Sequence, residues 1–374
     1  MKQFVVTLIG MALCLRTTAA EYHVYFGTYT GAKSKGIYLS RFDSSTGRLT
    51  PPELAVGAKN PSFLAVHPTE RFLYAVGETD GKGSVLAFSL DSKSGHLTTL
   101  GQQSAGGGGP CHLSVDATGK SLLVANYGSG SVASLPVRVD GSLGEPASVI
   151  QHAGSSVNPR RQAGPHAHAI NVSPDNRFAL VPDLGLDKVL VYRLNSATAT
   201  LNTNEPPFGS VEHGAGPRHL AFSPDGRFVY VINEMGSSVT TFNYDPRNGA
   251  MFETQNTSTL PKDYEGAAAS SCAEIAAHSS GRFVYASNRW HDSIAVFAVD
   301  PKTGKLTPVQ HESTQGKTPR HFAIDPTGRW LIAENQGSDS VVVFSLDAQT
   351  GKLKPTGQTL TLGSPVCAVF VTAK

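Results

Sequence analysis

The stretch GPRHLAFSPDGRFVYVINE, from Gly216 to Glu234, reads as a β-hairpin. Two short apolar runs flank the segment SPDG, in which Pro presets φ and Gly accepts a positive φ, so the segment predicts a tight turn. The polar residues Arg218, His219 and Glu234 stand near the two ends of the stretch. Because the strands of a hairpin are antiparallel, both ends meet on one side of the sheet. The sequence therefore predicts that these three side chains lie together.

The same hairpin recurs along the chain. Each copy is followed by a third apolar strand, such as SSVTTFNYD or DSIAVFAVD, then by a turn such as PKTGKL and a weaker fourth strand. A unit of four strands that repeats roughly every 50 residues is typical of a β-propeller blade. The further copies are Asn60–Glu78, Gly109–Tyr127, Gly164–Leu184, Ser271–Arg289 and Thr318–Gln336.

The two ends of the chain supply a seventh unit. SPVCAVFVTAK at the C-terminus has the pattern of a first strand, whereas EYHVYFGTYT, GIYLSRFD and LTPPELAVG near the N-terminus have the pattern of a second, third and fourth strand. Pairing the two ends would close a ring and leave no exposed sheet edge. We therefore predict an all-β fold, a seven-bladed β-propeller with four-stranded antiparallel blades. Its last blade is closed by the N- and C-terminal strands, and residues 21–374 form a single propeller domain.

Residues 1–20 have the pattern of a secretory signal peptide. Lys2 precedes the apolar run FVVTLIGMALCL and the small polar segment RTTAA, with cleavage expected after Ala20. The mature protein is therefore expected in the periplasm or secreted, without a membrane segment and as a monomer. A formal net charge of only +2 argues against a nucleic-acid partner.

The cysteines of the mature chain predict buried packing. Cys111, Cys272 and Cys367 are an odd number and fall near equivalent inner-strand positions, which favours small buried side chains over a disulfide framework.

Equivalent positions of the blades gather polar residues around the central channel, which the first strands line in a propeller. Five residues before the turn proline, or its equivalent, stand Phe63, His112, His219, Glu274 and His321, and the longer fourth blade adds His166 and His168. Many polar groups in one concave space are typical of a ligand site. The ends of the second strands contribute a further set, namely Glu78, Asn126, Asp183, Glu234, Arg289 and Asn335.

Two further features bear on this site. The insertion QHAGSSVNPRRQAGPHAH carries Arg160 and Arg161 towards the channel, although a solvated surface pair is the competing interpretation. The His166–Ala167–His168 segment could in principle hold zinc, but the neighbouring arginines would repel a cation. We therefore expect neither a metal nor another cofactor.

At these residues the sequence resembles the lactonase family of seven-bladed propellers, which includes the propeller-type 6-phosphogluconolactonase and the carboxymuconate lactonizing enzyme. The similar stretches include SSVNPRRQAGPHAHAI, GPRHLAFSPDGRFVYVINE and AEIAAHSSGRFVYASNRWHDSIAVF. The resemblance implies a catalytic set of His168 (or His166), Arg218, Glu234 and Arg289. Candidate substrate-binding residues are His166, Arg160, Arg161, His219, Glu274, Arg320 and His321.

The resemblance implies hydrolysis of a sugar lactone, with His168 or Glu234 as the base and with arginines stabilising the oxyanion. The expected partner is a small lactone that is anionic or derived from a sugar. Export argues against a phosphorylated substrate of the cytoplasm. The alternatives are a cycloisomerase that forms a lactone from a muconate-type diacid and an exported binding scaffold without enzymatic activity.

Overall fold

The computed structural model describes residues 20–79 and 81–374, and the predicted signal peptide therefore lies outside the described residues except for Ala20. Within the described part of the chain, no helix is long and apolar enough to cross a membrane. The strands form seven antiparallel sheets. This confirms the predicted seven-bladed propeller.

Blade 1 joins both ends of the chain and contains β1 (Glu21–Thr28), β2 (Gly36–Asp43), β3 (Arg48–Leu49), β4 (Glu53–Gly57) and β29 (Pro365–Thr372). Blade 2 contains β5 (Leu64–Val66), β6 (Phe72–Gly77), β7 (Ser84–Leu90) and β8 (Leu97–Ser104). Blade 3 contains β9 (Pro110–Val115), β10 (Ser121–Asn126), β11 (Ser131–Pro136) and β12 (Ser148–Gln151). Blade 4 contains β13 (Asn171–Val172), β14 (Phe178–Asp183), β15 (Lys188–Asn195) and β16 (Thr200–Ser210).

Blade 5 contains β17 (Pro217–Phe222), β18 (Phe228–Asn233), β19 (Ser238–Asp245) and β20 (Ala250–Ser258). Blade 6 contains β21 (Ser271–Ala277), β22 (Phe283–Arg289), β23 (Ser293–Val299) and β24 (Leu306–Ser313). Blade 7 contains β25 (Pro319–Ile324), β26 (Trp330–Asn335), β27 (Ser340–Leu346) and β28 (Leu353–Thr361). Two single-turn 3-10 helices lie at Ala267–Ala269 and Gln336–Ser338.

The ring closes as the end patterns predict. In blade 1, β29 pairs antiparallel with β1, so that Tyr22 lies opposite Thr372 and Thr28 lies opposite Pro365. The predicted fourth strand is divided into β3 and β4 because Pro51 and Pro52 lie between them, and proline cannot donate a hydrogen bond to the ladder.

The hairpin of blade 5 shows how the repeated turn forms. The side chain of Ser223 accepts a hydrogen bond from the backbone of Phe228 at 2.9 Å and donates one to Asp225 at 2.7 Å. Gly226 has a φ of +70°, which a residue with a side chain rarely adopts. The turn therefore requires the SPDG chemistry from which the hairpin was predicted.

Packing between the blades explains why the second strands are continuous apolar runs. Every residue of β18 is buried, because both faces of its sheet contact a neighbouring blade. Each apolar cluster of the described residues joins two adjacent sheets. An arginine directly before the second strand reinforces four of these interfaces on the far side of the ring. Each donates to a backbone carbonyl of the next blade, and the four are Arg177, Arg227, Arg282 and Arg329.

Candidate active site

One narrow cavity lies on the axis of the ring, where the first strands begin. Every blade contributes to its wall. Its lining residues are Tyr29, Ser62, Phe63, Glu78, Cys111, His168, Arg218, His219, Glu274, Arg320, His321 and Val366.

Bulges in the first strands aim several of these side chains at the cavity. In blade 5, Pro217 pairs with Asn233 and His219 pairs with Ile232, so Arg218 is the extra residue of a bulge. The same irregularity in blade 7 leaves Arg320 as the extra residue. A bulge re-aims a side chain that regular pairing would place in the sheet. The consecutive residues Arg218 and His219 can therefore both reach the cavity.

Glu234 is the centre of an arginine cluster. Its Oε1 accepts a hydrogen bond from Arg161 Nη2 at 2.7 Å, and its Oε2 lies 3.2 Å from Arg218 Nε and 3.0 Å from Arg289 Nη2. The backbone holds two of these arginines in place, since Arg218 donates to Ala273 O at 2.6 Å and Arg289 donates to Cys272 O at 2.8 Å. The structure therefore brings three of the four predicted catalytic residues into direct contact.

The arginines decide the charge state of the cluster. Burial raises the pKa of Glu234, but Arg289, Arg218 and Arg161 together outweigh burial and lower it to about 2. Burial, followed by repulsion from Arg320 and Arg289, lowers the pKa of Arg218 to about 10. At neutral pH the carboxylate is therefore ionised and Arg218 is still charged, so this cluster of three arginines and one glutamate carries an excess of positive charge.

His168 joins this cluster as a neutral base. Its Nε2 lies 4.0 Å from Glu234 Oε2, and its Nδ1 lies 3.8 Å from the Cys111 thiol. Burial, followed by the positive charge of Arg218, lowers the pKa of His168 well below its usual value. The contact with Glu234 is therefore not an ion pair at neutral pH, and the neutral imidazole keeps one unprotonated ring nitrogen.

The innermost part of the site is a chain of imidazoles and carboxylates. His219 Nδ1 lies 3.0 Å from Glu274 Oε2, and the same oxygen lies 3.5 Å from His321 Nε2. His321 Nδ1 lies 2.8 Å from Glu334 Oε2, and Glu334 is completely buried. Burial lowers the pKa of His219 to about 4 although Glu274 opposes this. Three predicted binding residues, His219, Glu274 and His321, thus form one network.

The insertion before blade 4 reaches the site through Arg161 and not through Arg160. The Arg160 side chain is exposed, and its backbone N–H donates to Asn158 Oδ1. His166 does not line the cavity; its ring stacks on Tyr127 at a centroid distance of 4.5 Å. The first strand of blade 4 is only β13, because the two-residue extension that holds His166 and His168 interrupts regular pairing.

Two residues that the sequence analysis missed fix this insertion. Gln162 is buried and donates to Leu184 O at 2.9 Å and to Asp187 Oδ1 at 2.7 Å. Asp187 also accepts from the backbone of Gly214 and Gly216. The neighbouring Arg161 is thereby held over Glu234. Gln162 lies in the insertion, outside the repeated positions, so the repeat gave no signal for it. Asp187 opens a third-strand segment, at a position where Asp recurs in DSIAVFAVD and DSVVVFSLD.

The polar residues at the ends of the second strands have two different roles. Asn126 and Asn335 are buried and donate to backbone carbonyls of Ala105 and Thr314, and Asp183 is paired with His152 at 2.6 Å. The sequence analysis treated these three residues as equivalent to Glu234, and that alignment is wrong by one residue. In blade 5 the second strand ends at Asn233, which pairs with Pro217, so Asn233 is the equivalent residue. The polar residues of the site stand one position later, where Glu78, Glu234 and Arg289 lie.

Two other features bear on metals and alternative pockets. Among residues 20–79 and 81–374, no group of three or more His, Cys, Asp or Glu is arranged to hold a metal ion. A wider groove with about 940 Å³ of empty space lies between the first turns of blades 5 and 6, on the opposite side of the ring. Its arginines, Arg227 and Arg282, are already bonded to backbone carbonyls.

Buried free thiols match the prediction for cysteine. Cys111, Cys272 and Cys367 are buried and unbridged in the described chain, which confirms that they do not form a disulfide framework. Cys111 differs from the other two because it also lines the cavity.

Known proteins resemble this chain over most of its length. The family profile described as a seven-bladed β-propeller lactonase matches residues 23–370. The 6-phosphogluconolactonase of Bacillus subtilis is 39% identical over 300 residues, covering 80% of this chain and 84% of that protein. The 6-phosphogluconolactonase of Formosa agariphila is 31% identical over 304 residues, covering 80% and 85%.

A solved structure shows the same architecture. The periplasmic gluconolactonase of Pseudomonas aeruginosa superimposes with a TM-score of 0.89 at 36% identity, covering 95% of this chain and 100% of that one. The profile and these relatives show that the chain belongs to the lactonase family of seven-bladed β-propellers.

Proposed function

We propose that this protein is an enzyme that hydrolyses a sugar lactone in the axial cavity. The observation that carries the proposal is the placement of a neutral, buried His168 beside the charged Arg218 in one enclosed space. Ester hydrolysis needs a base for water and a positive group for the oxyanion, and these two residues supply both. The names of the relatives give the class of ester.

His168 is the base in this scheme, and Glu234 organises the arginines. With a pKa of about 2, Glu234 is too weak a base to take a proton from water at neutral pH, and its oxygens already bind three arginines. His168 is neutral and lines the cavity. Of the two candidate bases named from the sequence, the geometry therefore favours His168, because it lines the cavity whereas the Glu234 oxygens are occupied by arginines.

The reaction proceeds in two steps, addition of water and collapse of the tetrahedral intermediate. His168 accepts a proton from water while the water oxygen bonds to the lactone carbonyl carbon, and Arg218 stabilises the resulting oxyanion. The tetrahedral intermediate then collapses, the ring C–O bond breaks, and the imidazolium returns its proton to the leaving alkoxide. The products are the open-chain hydroxy acid and the original His168. Arg289 adds positive charge behind Glu234, about 3 Å from its carboxylate.

The assay that tests this proposal follows acid release from D-glucono-1,5-lactone above the spontaneous rate, in parallel with conversion of a carboxymuconate. We expect hydrolysis of the lactone and no turnover of the diacid. Turnover of the diacid alone would replace the proposal with a cycloisomerase. An intact fold without either activity would instead indicate a binding scaffold.

We also propose that the enzyme acts outside the cytoplasm. The pattern of residues 1–20 and the relative named as periplasmic support this. The test fuses residues 1–20 to mature alkaline phosphatase, which is active only after export. Activity in the periplasmic fraction is expected, and an inactive fusion protein retained in the cytoplasm would contradict the proposal.

A further inference from the structure

The cavity has a second polar wall, formed by Tyr29, Ser62, Glu78 and Arg320, that the scheme above does not use. The hydroxyl of Tyr29 donates to Glu78 Oε2 at 2.9 Å, and Ser62 Oγ donates to the same oxygen. Arg320 Nη2 donates to the Tyr29 hydroxyl at 3.2 Å. The wall is therefore one connected chain of hydrogen bonds that runs from Arg320 to Glu78.

Ring closure and a clamp residue make this wall rigid. Tyr29 follows β1 and its backbone N–H donates to Ser364 O, at the start of the last strand. Asn60 accepts from the backbone of Thr30 at 2.9 Å and donates to Glu78 O at 3.0 Å. Blades 1 and 2 are thereby joined directly behind the wall, so a ligand would meet preorganised groups.

The wall keeps hydrogen-bonding capacity for a ligand. Tyr29 and Ser62 both donate to Oε2 of Glu78, and among the described residues no group donates to its Oε1. Oε1 is not fully buried, so a ligand can reach it. Within the described chain Arg320 has no carboxylate within 4.0 Å, and its guanidinium lies 5.5 Å from the Tyr29 ring centroid. A carboxylate acceptor thus stands beside a guanidinium with spare N–H groups.

Sugar hydroxyls fit this combination, because each can donate to a carboxylate and accept from a guanidinium. We propose that Tyr29, Ser62, Glu78 and Arg320 form the subsite that binds the ring hydroxyls of the sugar lactone. The identity of the ligand rests on the proposed lactone hydrolysis. A site built to bond a hydroxyl discriminates strongly against an analogue that lacks it.

The experiment compares two lactones that differ in their hydroxyls, D-glucono-1,5-lactone and δ-valerolactone. For Glu78→Ala we expect kcat/KM for the gluconolactone to fall roughly 10- to 100-fold, the usual effect of losing a hydrogen bond to a charged group. The same variant should hydrolyse δ-valerolactone within about threefold of the wild-type rate. Glu53→Ala, at an exposed position on β4, is the matched control and should change neither rate.

Equal losses for both lactones, or no loss for either, would overturn the subsite. Glu78→Gln keeps the size of the side chain and serves if Glu78→Ala does not fold; it should show the same selective loss. If wild-type protein hydrolyses neither lactone, the proposed function fails, and the subsite is then judged by calorimetric binding of D-gluconate. Weaker binding by Glu78→Ala would still support it, whereas equal binding, or none by wild type, would overturn it.

Discussion

Replacing Glu234 with glutamine should destabilise the protein, because the three arginines around it would lose their common counter-charge. The pKa of Glu234 is about 2 against an ordinary value of 4.5. A difference of one in pKa corresponds to about 1.4 kcal/mol, so the folded environment favours the ionised carboxylate over a neutral group by about 3 kcal/mol. The Arg161 side chain is 44% exposed, so solvent screens its share and the buried Arg218 and Arg289 contribute most.

Thermal and urea unfolding of Glu234→Gln measure this loss. A cost of about 3 kcal/mol in a chain of this length lowers Tm by about 4 °C. Glu253→Gln is the matched control, since Glu253 is exposed on β20 of the same blade. Partial desolvation and repulsion from Glu212 raise the pKa of Glu253, so its charge does not stabilise the fold. This variant should not destabilise the fold.

The pH dependence gives the sign of the Glu234 effect. The folded pKa is depressed, so the stabilisation is complete above about pH 4.5 and is lost as the pH falls towards about 2. The gap between wild type and Glu234→Gln should therefore be constant from pH 8 to pH 5 and shrink below that range. A variant as stable as wild type at pH 7 would refute the reasoning about the arginine cluster.

Three other predictions follow from the structure. His168→Asn should lower kcat roughly 100- to 10,000-fold. The acid limb of the wild-type kcat/KM profile, which reports the free enzyme, should lie well below pH 6.5 because the imidazole stays neutral there, and a limb at or above pH 6.5 would contradict the depressed pKa of His168. Cys111, Cys272 and Cys367 should not react with a disulfide reagent at pH 8 until the protein is unfolded, since burial raises the pKa of each thiol; rapid native labelling would argue otherwise. Deleting residues 365–374 should abolish cooperative thermal unfolding followed by circular dichroism, because β1 loses its ladder partner; an unchanged transition would show that closure is dispensable.

The fold was accessible from the sequence because its signals are local and repeated. The turn in SPDG and the apolar strands beside it specify one hairpin, and the repetition of that hairpin specifies the ring. The missing first strand at the N-terminus also predicted the pairing of β29 with β1. Local patterns failed where one residue shifts the register, as at Asn126 and Asn335, which are buried structural groups one position before the polar residues of the site.

The site was accessible only in part. His168, Arg218, Glu234 and Arg289 could be named because they stand at repeat positions and match a family pattern, and the structure brings them together. The strength of their electrostatic coupling, and so the distinction between His168 and Glu234 as base, depends on distances and burial that no spacing in the sequence reveals.

Tyr29, Gln162 and Asp187 were missed for a different reason. Tyr29 reaches the cavity through ring closure, where the end of β1 meets the start of β29. Gln162 and Asp187 act through a loop whose path is set by tertiary hydrogen bonds. Tyr29 and Gln162 carry no periodic signal, because each occurs once and its partner is distant in the chain. Asp187 stands at a recurring position, but the repeat does not reveal its bond to Gln162 of the insertion.

The central claim is that the convergent arginines and His168 hydrolyse a lactone in the axial cavity. It is tested most directly by kcat/KM for D-glucono-1,5-lactone in Arg218→Ala, measured beside wild type and Arg247→Ala, whose side chain is 88% exposed and paired with Asp245. The account predicts a loss of roughly 100- to 1000-fold for Arg218→Ala and none for Arg247→Ala. Wild-type activity in a correctly folded Arg218→Ala protein would contradict it.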